Sequence, residues 1–346
     1  MPPTLYIGWT EWECLIECYK IIQNDFLEGA LPKGNALFLK ILSLWVILFL
    51  FRHILSCLAF ILNATGGYIL KELTFTVIGG DQRSFFAAKR LREQGIPTEI
   101  LALKNEKSFL PSENISTDVV LLPLPLTRDG KHLFAPEAKD PILLKDVFAA
   151  ISERTVIFGG NIGEFADART VDYGKREAFA LMNAVPTAEG ALLLALQNGK
   201  RTVFGMRVAV IGYGKVAFAT AKLFHAVGAE VTVFARRAQA RTEAHMMGYL
   251  ARPLGALSEY VGEYDLLINT VPARIFDRDL LSRISPEGRL MELASAPFGL
   301  DFDEAESLGV RAELASGLPG KFFPETAGYA VADTVLELLR EMQILR

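Results

Sequence analysis

The feature that most constrains this chain is Gly212-Tyr-Gly214-Lys-Val-Ala217, set between the apolar run Arg207–Ile211 and a helical stretch reaching Val227. In a strand–turn–helix context, the first glycine makes the tight turn and the second lets a pyrophosphate approach the backbone. The small third residue, Ala217, lets helix and strand pack closely. Gly212, Tyr213, Gly214, Lys215, Val216 and Ala217 are therefore expected to hold a dinucleotide, its phosphates on the helix N-terminus where free N–H groups favour an anion. A tight turn without a ligand would carry the same spelling.

Around that motif the sequence alternates short apolar runs with helices of 10–15 residues, which predicts parallel sheets covered on both faces. Runs at Leu73–Ile78, Pro97–Leu103, Asp118–Leu122 and Thr155–Phe158 form a first set of strands. Arg207–Ile211, Glu230–Ala235, Asp265–Asn269, Arg289–Leu293 and Val310–Leu314 form a second. The expected fold is α/β: two Rossmann-like, doubly wound parallel-sheet domains with a cleft between them, preceded by a hydrophobic N-terminal extension. The expected divisions are 1–70 for the extension, 71–182 for a substrate-side domain and 183–203 for a linking helix. Residues 204–316 form the dinucleotide domain, and 317–346 a loop and helix returning to the first domain. That last helix is expected over Ala327–Met342, with Val331, Val335, Leu338 and Leu339 at helical spacing.

The extension is the odd part. Leu37–Leu62 is nearly all apolar and has the length of a membrane span, about 20 residues, yet Arg52 and His53 sit near its middle. Some 36 residues precede it, with more acidic than basic side chains, which fits a signal peptide poorly. A membrane anchor, an apolar segment packing on the body and an upstream stretch outside the working protein all remain open. The next methionine after Met1 is Met182, so a later start would need another codon near Ile69–Leu73.

Charge and cysteine content exclude several classes. Lys plus Arg number 36 against 40 Asp plus Glu, a net charge of -4, so no basic excess points to nucleic acid. Cys14, Cys18 and Cys57 all precede residue 60, leaving no disulfide framework or thiolate metal site for the α/β body, and no metal is expected.

Cofactor choice is read at the end of the second strand of the dinucleotide domain. A carboxylate there would favour NAD, but the chain offers Arg236 and Arg237, with Arg241 four residues on. Two guanidinium groups suit a 2′-phosphate, and NADP is expected. Thr270, Val271 and Pro272, and then Ala294 and Ser295, follow later strands at carboxyl ends, where open α/β sheets place their ligands. No histidine stands where dehydrogenases of 2-hydroxy acids keep their base, since His132, His225 and His245 lie elsewhere. Arg83, after Gly79-Gly-Asp81 at a helix start, and Lys321, in a glycine–proline loop, would suit a substrate carrying carboxylates.

Taken together, Val77-Ile-Gly-Gly-Asp-Gln-Arg83, Leu122-Pro-Leu-Pro125, Asn183-Ala-Val-Pro-Thr-Ala-Glu-Gly190, Gly212–Ala217, Leu293-Ala-Ser295, Gly317-Leu-Pro-Gly-Lys321 and Glu325-Thr-Ala-Gly328 resemble the A subunit of bacterial dipicolinate synthase. The resemblance spans about 270 residues and leaves out the first 70. It implies a cytoplasmic, mother-cell enzyme of sporulation that oxidises dihydrodipicolinate, the branch-point compound of lysine synthesis, to pyridine-2,6-dicarboxylate with NADP. It also implies a second, flavoprotein-like partner, the B subunit of the synthase. On this reading Arg83 and Lys321 meet the small dicarboxylate, Asp81 orients Arg83, and Thr187 and Thr326 line the cleft. Two other readings stay open: a membrane-tethered nucleotide-sensing module, and a stand-alone imine or keto-acid reductase.

Overall fold

A computed structural model describes residues 73–103, 106–110 and 114–345. The apolar run Leu37–Leu62 lies outside the described residues.

The chain from residue 73 forms one compact unit holding two parallel sheets. The first sheet has the order β2-β1-β3-β4-β5. Its strands are β1 (Phe75–Ile78), β2 (Thr98–Leu101), β3 (Val119–Leu121), β4 (Val156–Gly159) and β5 (Thr170–Asp172), with helices α1 (Gln82–Glu93) and α2 (Leu144–Ala150). Strands β1, β3 and β4 are almost wholly apolar, as sheets covered on both faces require. One face packs Phe75, Val77, Val119 and Leu121 with Ala87 and Leu91 of α1, and the other packs Ile78, Val120 and Ile157 with Leu144 and Val147 of α2.

Helix α3 (Glu177–Gln197) leads to the second sheet. It starts six residues before the expected Asn183, because Glu177–Met182 are strong helix formers on a backbone already leaving β5. By length and composition this helix could cross a membrane. Here it is a core helix: Ala191, Leu194 and Ala195 pack with Val208 and Val210 of the second sheet.

The second sheet contains β6 (Arg207–Ile211), β7 (Glu230–Ala235), β8 (Leu250–Pro253), β9 (Leu266–Asn269), β10 (Arg289–Glu292) and β11 (Arg311–Leu314). Their order, β11-β10-β9-β6-β7-β8, is the dinucleotide-binding order, reversing direction between β6 and β9. Helices α4 (Lys215–Ala226), α5 (Ala238–Met246), α6 (Leu257–Tyr260), α7 (Arg278–Ser282) and α8 (Phe302–Ser307) surround it. Strands β5 and β8 escape the sequence pattern: one has three residues, and the other is an edge strand ending in Pro253.

Residues 318–322, read from sequence as part of a glycine–proline loop, are helical: α9 (Leu318–Phe322) follows Gly317 at φ 66°. The proline sits at the start of this helix, where its missing N–H costs nothing. Then α10 (Pro324–Glu341) lies against α1. Val331, Val335, Leu338 and Leu339 join the core of the first sheet, each burial worth about 1.5–3 kcal/mol. Gly328 makes the close approach possible, since a Cβ there would stand 2.4 Å from the Arg83 carbonyl oxygen. The surrounding ion pairs Arg90–Asp333 and Lys89–Glu325 are exposed and add little.

Candidate active site

The switch between β6 and β9 opens a crevice at their carboxyl ends. Gly212 holds φ 97°, and a Cβ there would lie 2.5 Å from Thr270 Oγ1 and 2.9 Å from Val271 Cγ2. Thr270 in turn donates its hydroxyl to the Ile211 carbonyl at 2.8 Å, tying the β9 loop to the turn after β6. Gly214 is different: a Cβ there would meet nothing within 4 Å, and it caps α4 without any side-chain hydrogen bond. The first N–H groups of α4 thus face open space without an acceptor from the chain, the arrangement that takes a phosphate.

Two cavities meet at this turn. One, about 380 Å³, is lined by Gly212, Tyr213 and Gly214 together with Phe234, Ala235, Arg236, Arg237, Val271, Pro272, Ala273 and Ile275. The other, about 470 Å³, shares Gly212–Gly214, Val271 and Pro272, adds Thr270, Lys215, Val216 and Ala217, and reaches Leu124, Asn161 and Gly174 of the first domain. A nicotinamide dinucleotide would have the α4 N-terminus at Gly214 for its phosphates and Arg236 and Arg237 at one end of this pair of cavities. Arg236 and Arg237 are exposed and make no side-chain hydrogen bond or ion pair, whereas Arg241 spends Nη1 on the Ala235 and Arg236 carbonyls. Arg241 therefore shapes the turn that presents the other two. The Tyr213 hydroxyl is buried without a partner, and burial pushes the phenol up to about 12.

The structure separates the other expected site residues into those near the cleft and those away from it. Arg83 forms a bidentate pair with Asp81, with Nε–Oδ1 and Nη2–Oδ2 both at 2.8 Å, and Nη2 also reaches the Leu124 carbonyl at 2.7 Å. Gly320 of α9 lies over this pair, and the cavity beside it, about 10 Å³, holds no more than a water. Asp81 does orient Arg83, but the guanidinium ties three segments together and is no open cation for a substrate. Lys321 is exposed on α9 with its ammonium 4.9 Å from the Phe322 ring. Thr187 returns its hydroxyl to the Asn183 carbonyl, and Thr326 is exposed on the first turn of α10. None of these five is among the residues lining the cleft.

Ala294 and Ser295 line neither cavity; Ala294 is buried and Ser295 exposed. Their segment matters through Glu292, which sequence reasoning missed. This fully buried carboxylate accepts from Asn269 Nδ2 at 2.8 and 2.9 Å, from the Ala294 amide at 2.9 Å and from the Gly299 amide at 3.0 Å. Burial pushes its carboxyl above the ordinary range, against the pull of those donors. Asn269 also bonds both ways with Val271, so Glu292 fixes the loop that floors the crevice. The only sequence signal was a lone acid ending an apolar strand.

The polar side chains lining the cleft belong to Tyr213, Thr270, Lys215, Asn161 and Asn183, the last two also missed. The residues lining the cleft include no histidine, aspartate or glutamate. Among the described residues, no group of three or more His, Cys, Asp or Glu is placed to hold a metal ion.

Comparison with known proteins agrees with this geometry. Residues 74–176 match the N-terminal domain of the dipicolinate synthase A subunit, and residues 189–297 match the NAD binding domain of D-isomer specific 2-hydroxyacid dehydrogenases. The chain is 33% identical to the dipicolinate synthase A subunit of Bacillus subtilis (strain 168), over 80% of this chain and 98% of that one. This chain belongs to the family of dipicolinate synthase A subunits.

Two solved members are similar throughout the described body. The one from Bacillus subtilis has a TM-score of 0.69 at 31% identity, covering 79% of this chain and 98% of that one. The one from Bacillus halodurans also has a TM-score of 0.69, at 27% identity, covering 78% and 98%. A transhydrogenase from Sinorhizobium meliloti, at 14% identity and a TM-score of 0.58, shares the fold. Membership of the family makes the protein part of an oxidoreductase, with a nicotinamide-dinucleotide domain.

Proposed function

We propose that this chain oxidises dihydrodipicolinate to pyridine-2,6-dicarboxylate with NADP, in the cytoplasm of a sporulating mother cell and together with a second, flavoprotein-like subunit. The observation that carries the reading is a dinucleotide crevice opening on an interdomain cleft lined by amides and one ammonium group, in a chain of this family. When bound, the dinucleotide supplies the hydride acceptor. Gly212, Gly214 and the α4 N-terminus hold its phosphates, while Arg236 and Arg237, both free of other partners, receive a 2′-phosphate. Glu292 and Thr270 keep the loop after β9, which floors the crevice, in place.

The chemistry asks little of a base. Loss of a hydride and a proton from the dihydropyridine ring leaves an aromatic product, so the proton departs downhill. A cleft without imidazole or carboxylate suffices, provided it orients the ring and lets a proton reach water. Lys215, 38% exposed and 3.4 Å from Glu177, adds positive charge where a dicarboxylate would enter.

The test is turnover by the full chain with and without the candidate second subunit. Aspartate semialdehyde, pyruvate and the upstream synthase would generate the substrate in place. NADPH formation and the ultraviolet band of the pyridine dicarboxylate, rising together only with the partner, support the reading. NADPH binding without either signal sinks the substrate assignment and favours a stand-alone reductase.

A further inference from the structure

Of the first-domain residues that line the cleft, Leu124, Asn161 and Gly174, only Asn161 has a polar side chain. Its placement is built with some care. It follows Gly159-Gly160 at the carboxyl end of β4, where a Cβ on Gly160 would strike Leu124 at 2.5 Å, so the two loops can be this close only without one. Asn161 itself adopts φ 57°, the left-handed region that a residue with a Cβ enters at a cost. What holds it there is Asp172, whose carboxylate accepts from the Asn161 amide at 3.0 Å, the Ile162 amide at 3.1 Å and the Gly174 amide at 3.0 Å.

A position so held would be filled most cheaply by glycine, as glycine fills Gly163 two residues on. After glycine, asparagine is the residue that enters this region most readily, usually with its carboxamide bonded locally, but here the carboxamide is not spent in that way. It makes no hydrogen bond within the chain, and neither does the carboxamide of Asn183, which lines the same cleft from α3. Each offers two N–H donors.

We propose that Asn161, with Asn183 lining the same cleft, is the group that receives a carboxylate of the substrate, donating N–H to its oxygen in place of Arg83, which is spent on Asp81 and the Leu124 carbonyl. The assignment rests on the dicarboxylate reading above. A left-handed asparagine pinned by Asp172 is a preorganised donor, because the loop need not order itself when the ligand arrives. Amide donors also hold a carboxylate without fixing a full positive charge beside a ring that must lose a hydride.

Asn161→Gly tests this in the full chain, with the second subunit present wherever turnover is read, because glycine keeps both the φ and the backbone amide bonded to Asp172. Its melting temperature and NADPH affinity are expected to equal or exceed those of wild type. KM for dihydrodipicolinate, and the Kd of dipicolinate titrated into the NADP-loaded protein, are expected to rise at least about tenfold, the worth of one hydrogen bond to a charged group. Asn161→Asp, which turns a donor into a like charge, should lose more. Unchanged KM and Kd in Asn161→Gly overturn the role of Asn161 and leave the substrate reading standing. A wild-type protein that binds NADPH but neither turns over the substrate nor binds dipicolinate overturns both.

Discussion

Replacing Gly214 by alanine separates binding from folding more cleanly than any other change in the crevice. At Gly214 the backbone is extended, φ -87° and ψ -168°, which alanine adopts freely. A Cβ there meets no atom within 4 Å, so nothing in the chain is displaced. Removing a glycine at a compatible position lowers the entropy of the unfolded chain, and the variant should be as stable as wild type or about 0.4–1 kcal/mol more so. The same methyl would stand in the space that a pyrophosphate on the α4 N-terminus must use. Forcing a methyl into a filled space costs about 1–3 kcal/mol, so NADPH affinity should drop roughly five- to 150-fold. Gly212→Ala is the counterpart. There the left-handed backbone costs about 1–2 kcal/mol. The clash with Thr270 Oγ1 at 2.5 Å then displaces its hydrogen bond to Ile211 as well, so stability and affinity fall together. Thermal unfolding and fluorescence titration with NADPH measure both quantities on each variant. A Gly214→Ala protein that folds and binds NADPH like wild type would refute the placement of the phosphates.

Other expectations follow from particular side chains. Glu292→Ala strips the acceptor from the Asn269 carboxamide and the Ala294 and Gly299 amides, three donors in a buried site. At about 1–3 kcal/mol for each unmet donor, less the relief of unburying a charge, the net loss should be about 2–4 kcal/mol by urea unfolding, and a shift under about 0.5 kcal/mol would deny Glu292 its role. Arg236→Ala combined with Arg237→Ala should weaken NADP binding by about ten- to 100-fold and leave NAD binding nearly unchanged, read by parallel titrations; equal losses for both dinucleotides would mean the arginines do not meet a 2′-phosphate. With no imidazole or carboxylate lining the cleft, and Tyr213 held neutral by burial, kcat should show no titration of a cleft residue between about pH 6 and 9. An acid limb near the histidine range would expose a base outside these residues.

How much of this was legible before folding differs from residue to residue. Gly212–Ala217 could be placed from sequence because turn, phosphate approach and helix packing are local demands, met by consecutive residues. The position of Arg236 and Arg237 at the end of β7 could be placed for the same reason, and the apolar stripe of α10 was legible, its four named residues all entering the core. Arg83 could not be judged from sequence because a cation near a glycine turn looks alike whether it is open or already paired. Lys321, though exposed, lies on α9 away from the residues lining the cleft. Asp81 and the Leu124 carbonyl claim Arg83, and Leu124 lies forty-one residues away in the chain. The Glu325-Thr-Ala-Gly328 motif suggested chemistry, yet its glycine serves the contact of α10 with α1.

The sequence by itself determined the α/β class, the dinucleotide turn and the return of the last helix, since each is written in short-range periodicity and backbone preference. Tertiary structure alone decided which polar groups face the cleft. Asn161 meets Asp172 across eleven residues, and Glu292 meets Asn269 across twenty-three. Whether a carboxylate or amide is spent on a neighbour or left open for a ligand depends on what the folded chain brings beside it, and no local pattern records that partner.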